Sequence, residues 1–179
     1  MRAFLTGPLV RLFPVGLCVL AMQRTFLTEL RVFGVVLQIV LALAAAAGAG
    51  AGPERGAIAG FTLGLMYDLA TGSPLGLTAL VYALAGFVAG YVLTFTPTPP
   101  WWLTSIFTAI GAAVGETAAP AARALVGQDG WFTARLFTIV PVVAGFALLL
   151  SPLFVPLGRW CMCVKKPKWK AMHEGSRRG

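Results

Sequence analysis

The chain is a succession of apolar runs, each near the length of a membrane-crossing helix, joined by short polar or proline-containing segments. This pattern limits the fold more than any single motif. Charged residues make up only 11% of the 179 residues and hydrophobic ones 58%, whereas an ordinary soluble domain is about 25% charged. So few charges cannot cover a soluble body of this size. Disorder is excluded as well, because disordered chains are poor in apolar residues and rich in charge. A helix crossing the roughly 30 Å hydrocarbon core needs about 20 residues, so six would use about 120 and leave only short loops. The expected class is an all-α integral membrane protein, a polytopic bundle of about six transmembrane helices.

The runs can be placed in order. The first extends from about Leu9 to Leu27, with Arg11 snorkelling at its start. It reads as an uncleaved helix, since no small-residue cleavage site follows it. The second runs from about Val32 to Gly50; Gly52 and Pro53 break it, and Glu54 and Arg55 read as a tight polar turn. The third, Gly56 to Leu69, is too short to cross alone. Ser73-Pro74 reads as N-cap and first helical residue of a fourth run that ends near Phe95. Pro97, Pro99 and Pro100 stop it, and Trp101 and Trp102 open the fifth as interface anchors. Pro120 is expected to kink or end that run near Ala122. The sixth runs from about Trp131 to Leu157. Residues 1–158 then form the bundle and 159–179 a basic tail. A five-span layout, with the third run re-entrant or the first interfacial, stays open at this point.

Charge sets the expected orientation. The net charge is +8, from 14 Lys and Arg against 6 Asp and Glu, and half of the basic residues lie from Arg159 onward. In a six-span layout the side of the termini holds ten basic residues and the opposite side four. The positive-inside rule then places both termini in the cytoplasm. The tail residues Arg159, Lys165, Lys166, Lys168 and Lys170, interleaved with Trp160 and Trp169, suit an anionic lipid surface, each contributing about 1 kcal/mol. They do not form a nucleic-acid site. Cys18, Cys161, Cys163 and the single His173 fall short of a structural zinc set. No metal or cofactor is expected, and hydrolase or phosphate-loop motifs are missing.

Small residues recur at helical spacing: Gly56, Gly60 and Gly64; Gly86 and Gly90; Gly111 and Gly115. In lipid such faces let backbones approach closely. They serve either internal packing or a partner's helix. Two acids fall at membrane depth, Asp68 and Glu116. An intramembrane carboxylate is costly and so a functional candidate. Asp68 also reads as a turn-ordering group bonding backbone N–H near Thr71 to Ser73. Glu116 reads as lying near the outer interface, paired with Arg123. Thr104 and Thr108 continue the Gly111/Gly115 stripe, and Gln38 reads as a mid-span hydrogen-bonding group.

The stretch Gly56–Leu69, with Gly60-Phe61, Gly64-Leu65 and Asp68-Leu69, followed by Gly72-Ser-Pro-Leu75-Gly76, resembles the rod shape-determining protein MreD family. Gln23 and Arg31-Val-Phe-Gly34 are similar to the family's first connection, while Leu37-Gln38 stands where the family often has Pro-Asp or Pro-Asn. The resemblance covers about two-fifths of the chain, from Gln23 to Val92. It implies a fold similar to the substrate-binding membrane component of energy-coupling-factor transporters. It also implies structural or partner-binding roles for Gly60, Gly64, Asp68 and Gly76. The implied function is a non-enzymatic scaffold of bacterial cell-wall elongation in the inner membrane. The implied partners are an MreC-like protein, the actin-like MreB, and the RodA glycosyltransferase with its class B penicillin-binding transpeptidase. On this reading the small-residue faces accept the partner's helix. The alternative is a small-solute transporter or the substrate-binding subunit of a vitamin transporter, for which a short, Gly/Pro-interrupted mid-chain pair is the sequence pointer.

Overall fold

The computed structural model describes residues 8–27, 31–32, 35–36, 38–125, 127 and 136–162. The side chains of Lys165, Lys166, Lys168 and Lys170, together with Cys163, His173 and Arg135, lie outside the described residues. Among the described residues the protein is helical apart from one minimal strand pair. Helix α1 spans Pro8–Met22 and continues as a π-helical turn, Gln23–Leu27. Strands β1 (Arg31–Val32) and β2 (Val35–Val36) pair antiparallel. There follow α2 (Ile39–Ala51), α3 (Pro53–Thr71), α4 (Leu77–Gly90), the single turn α5 (Val92–Phe95), α6 (Trp101–Leu125) and α7 (Leu136–Cys161).

Helix α2 is the axis of the bundle. Every residue from Ile39 to Gly50 is buried, and α3, α4, α6 and α7 all pack against it. Its Ala/Gly composition permits this. From Ala44 to Ala51 it carries only alanine and glycine, so that half can be surrounded at short interaxial distance, while Val40, Leu41 and Leu43 fill the core at its other end. Helices α3 and α4 form the most intimate pair, α4 then packs on α6, and α6 on α7. Helix α1 lies against α3 and touches α2 and α7.

Four boundaries differ from the sequence reading. The second run becomes helical only at Ile39, after the strand pair. Gln38 is therefore the N-cap position of α2 and not a mid-span residue. Glu54 and Arg55 do not form a turn; they occupy the first turn of α3, with Pro53 at N1 and Gly52 alone making the joint. Pro suits a first helical position and an acid suits the N-terminal end of the helix dipole. The third helix is thus 19 residues long, about 29 Å, long enough to cross. The fourth helix begins at Leu77 and not at Pro74, and Ser73 is not its cap. Pro120 lies inside α6, which continues to Leu125.

The core is mostly aliphatic but also holds several polar side chains, and many large apolar side chains face outward. Gln23, Asp68, Thr104, Ser105, Thr108, Glu116 and Ser151 are buried, while Phe137 is 89% exposed, Trp101 77% and Leu149 74%. Two stretches are long and apolar enough to cross a membrane: Leu77–Phe95, of mean hydropathy 1.8, and Phe137–Cys161, of mean hydropathy 2.3.

Candidate functional site

The glycines picked out by spacing meet one another inside the chain. A side chain at Gly56 would run into the Gly86 backbone, one at Gly60 into Tyr82, one at Gly64 into Thr78 and Ala79, and one at Gly90 into Gly52 and Pro53. Gly86 in turn lies against Gly56 and Ala44. Gly111 and Gly115 of the fifth run are packed on Ala85, Ala89 and Leu41. These faces are therefore occupied by the protein's own helices. The expectation that the Gly56/Gly60/Gly64 face accepts a partner's helix is corrected: α4 fills it, because glycine on both sides lets the two backbones touch. Gly48, which sequence reasoning passed over as part of an Ala/Gly-rich stretch, is the third member of this contact, against Gly86 and Gly56. The signal for it was the absence of any polar face in α2.

Asp68 closes the end of the α3–α4 hairpin. It is fully buried, and its carboxylate accepts from Ser73 Oγ at 2.7 Å and from three backbone N–H groups: Gly76 at 2.9 Å, Thr78 at 3.3 Å and Ala79 at 3.3 Å. The first N–H groups of a helix have no intrahelical acceptor. Asp68 supplies one from the preceding helix, at the positive end of the α4 dipole. Asp68 thus orders the turn, but its backbone N–H partners are Gly76, Thr78 and Ala79, and within Thr71 to Ser73 it takes only the Ser73 hydroxyl. Thr71 Oγ1 lies 3.0 Å from Ser73 Oγ and extends the network. The chain reaches this geometry through Gly72 (φ 68) and Gly76 (φ 96), two left-handed positions that a side chain would strain. Of the residues carrying the family resemblance, Gly60 and Gly64 join the two helices of this hairpin, and Asp68 and Gly76 tie its turn.

A second constellation lies at the same end of the bundle. Gln38, Tyr67, Thr78, Tyr82, Glu116 and Arg123 surround a cavity of about 40 Å³. Tyr82 donates to Gln38 Oε1 at 3.1 Å, so Gln38 does bond across helices, from α2 to α4. Tyr67 and Tyr82 are in tilted ring contact, with centroids 5.9 Å apart. Glu116 is 6% exposed, and its Oε1 has no hydrogen-bond partner. Arg123 shares the cavity, yet it stands seven positions on, about 10 Å along the helix. Pro120, between them, has no N–H to offer the Glu116 carbonyl. The Glu116 carbonyl therefore lacks its α-helical donor, besides the unpartnered Oε1 of its side chain. The hydroxyls of Thr104 and Thr108 bond their own helix, to Pro100 and Thr104 carbonyls. Of that stripe, Gly115 lines the Glu116 cavity, while Thr104 lines a separate one between α6 and α7.

At the opposite end, Arg159 and Trp160 lie in the last turn of α7. Arg11 sits over the Trp160 ring, 5.5 Å from its centroid. The expected tail therefore does not begin at Arg159: the helix continues to Cys161, with Cys161 and Met162 buried, and the lysines of the tail lie outside the described residues.

Comparison of the chain with family models, curated proteins and solved structures finds no match.

Proposed function

We propose that the chain is a multi-pass bacterial inner-membrane protein of about six spans, both termini cytoplasmic. It works by binding, as a scaffold of the cell-wall elongation machinery similar to the MreD family. The membrane part of this reading is supported by the many large aromatic and aliphatic side chains on the outside of the bundle and by the two stretches long and apolar enough to cross a membrane. The observation that carries the family part is the hairpin. Gly60, Gly64, Asp68 and Gly76 all act in one closed α3–α4 unit. A residue pattern that a fold uses so completely is more specific than glycines scattered through an apolar chain.

The surface offered to an MreC-like partner then has to be an outer one. Leu80, Leu84, Phe87 and Tyr91 stand in one exposed row along α4 and its end, at the i, i+4, i+7, i+11 spacing of a single helix face. Phe87 and Tyr91 meet edge to face, their centroids 5.1 Å apart. Ile58, Phe61 and Leu69 are exposed on α3. A partner helix would gain van der Waals contact on this row. The test is co-purification of the MreC-like protein with a Leu84→Ala/Phe87→Ala variant. Recovery should fall about tenfold, roughly 1.4 kcal/mol, with thermal unfolding of the bundle unchanged. Full recovery would remove this face as the contact.

The second reading, a small-solute transporter or vitamin-binding subunit, is favoured by the Glu116 cavity. That cavity, of about 40 Å³, suits a few water molecules; the cavity between α6 and α7, of about 450 Å³, falls in the roughly 300–1,000 Å³ range of a ligand pocket. Thermal stabilisation by a member of a vitamin and metabolite panel would restore it to first place.

A further inference from the structure

The largest cavity among those described, about 450 Å³, lies between the start of α6 and the end of α7. It runs from Arg159 down to Ser151, about 12 Å along α7. Trp101 and Trp160 flank its mouth, 77% and 58% exposed, as tryptophans do at a membrane–water boundary. Among the described residues, Arg159 is the one charged side chain that lines it, and no acid does. Arg159 is seated by close packing. A Cβ at Gly50 would come within 2.9 Å of its Cγ, so the missing side chain at position 50 is what lets the Arg159 stem lie there.

Below the tryptophans, part of the wall accepts hydrogen bonds. Thr104 and Ser105 donate their hydroxyl protons to the carbonyls of Pro100 and Trp101, which leaves their oxygens as acceptors. Pro156 has no N–H, so the carbonyl of Pro152, in the cavity wall, lacks its α-helical donor. A guanidinium beside a set of acceptors calls for a ligand that carries a phosphate together with its own N–H or O–H donors. At the depth marked by the tryptophans, that chemistry belongs to a phospholipid headgroup.

We propose that this cavity binds the headgroup of a donor-bearing phospholipid. The phosphodiester pairs with Arg159, and the ammonium or hydroxyl end lies among Thr104, Ser105 and the Pro152 carbonyl. The proposal rests on the membrane reading above and is independent of the cell-wall role. The basic tail attracts anionic lipid in general, so the discriminating comparison uses two net-neutral lipids. Phosphatidylethanolamine has three N–H donors; phosphatidylcholine has none.

The experiment is native mass spectrometry and thermal unfolding of the full chain, delipidated in detergent and resupplied with each lipid. One phosphatidylethanolamine should be retained about tenfold better than phosphatidylcholine. Arg159→Gln should abolish the retention of either lipid at this site. Thr104→Val/Ser105→Ala should remove the preference between them while leaving the fold intact. Equal retention of the two lipids by the unaltered chain, or retention unaffected by Arg159→Gln, overturns the proposal. Stabilisation by free glycerol 3-phosphate as strong as that by the lipid overturns the lipid as the source. Recovery of the chain in the soluble fraction without detergent would instead overturn the membrane reading itself.

Discussion

Asp68 carries more of the local structure than any other single side chain. One hydroxyl and three backbone N–H groups converge on its two oxygens. Its removal leaves them without a partner in a buried place. Asp68→Ala should lower stability by about 3 kcal/mol, and Asp68→Asn by about 1–3 kcal/mol, since hydrogen bonds to a charged group are worth about 1.5–3 kcal/mol. Ser73→Ala should cost about 1 kcal/mol and show less than additive loss in the Asp68→Ala background, as expected of a shared bond. Thermal unfolding in detergent reads all three. At Glu116 the sign reverses. Replacing a buried, unpaired carboxylate by its neutral isostere relieves a desolvation cost, so Glu116→Gln should match or exceed the parent in the same assay. A clear loss of stability would show that the charge is compensated. Both acids were visible in the sequence because acids are so rare in it. Their partners were not. Asp68 reaches past Ser73 because α4 starts at Leu77, and cap position depends on how the turn closes in space.

At the scale of elements, the α3–α4 hairpin is the unit that resists change. Glycine meets backbone along its whole length, so Gly60→Leu should disrupt the packing and not simply remove a partner. Loss of the cooperative unfolding transition, or failure to accumulate, is the expected result. Gly76→Ala, at φ 96 with open space around it, tests strain alone and should cost about 1 kcal/mol. The periodicity of the glycines was legible in the sequence, and so was the hairpin. Which face they met was not, because small residues serve internal and external contacts by the same physics. The length of α3 was misjudged for a different reason. Pro53, Glu54 and Arg55 look like a loop by composition, yet they are favourable residues for a helix start.

For the whole molecule, charge and apolar length foretold a helical bundle with an apolar exterior, but not its arrangement. The central place of α2 could not be read from periodicity, because a helix without a polar face carries no directional signal. Orientation is open to a direct check. Leu75 at the hairpin turn and Thr98 before α6 are exposed at opposite ends. In a chain whose native cysteines have been replaced, Leu75→Cys should react with an impermeant thiol reagent added outside intact cells. Thr98→Cys should react only after lysis.

The burial of α2 also bears on how the protein is made. Its 13 residues span only about 20 Å, and alanine and glycine give little gain on entering lipid. Longer neighbours can cross the bilayer by themselves; α2 is too short to cross, and from Ala44 onward it has no large side chain to hold it in lipid. Its place in the membrane then depends on helices translated after it, above all the α3–α4 pair. The nascent chain should hold α2 loosely at the translocon until that pair emerges, and a truncation after Gly52 should leave the segment unintegrated.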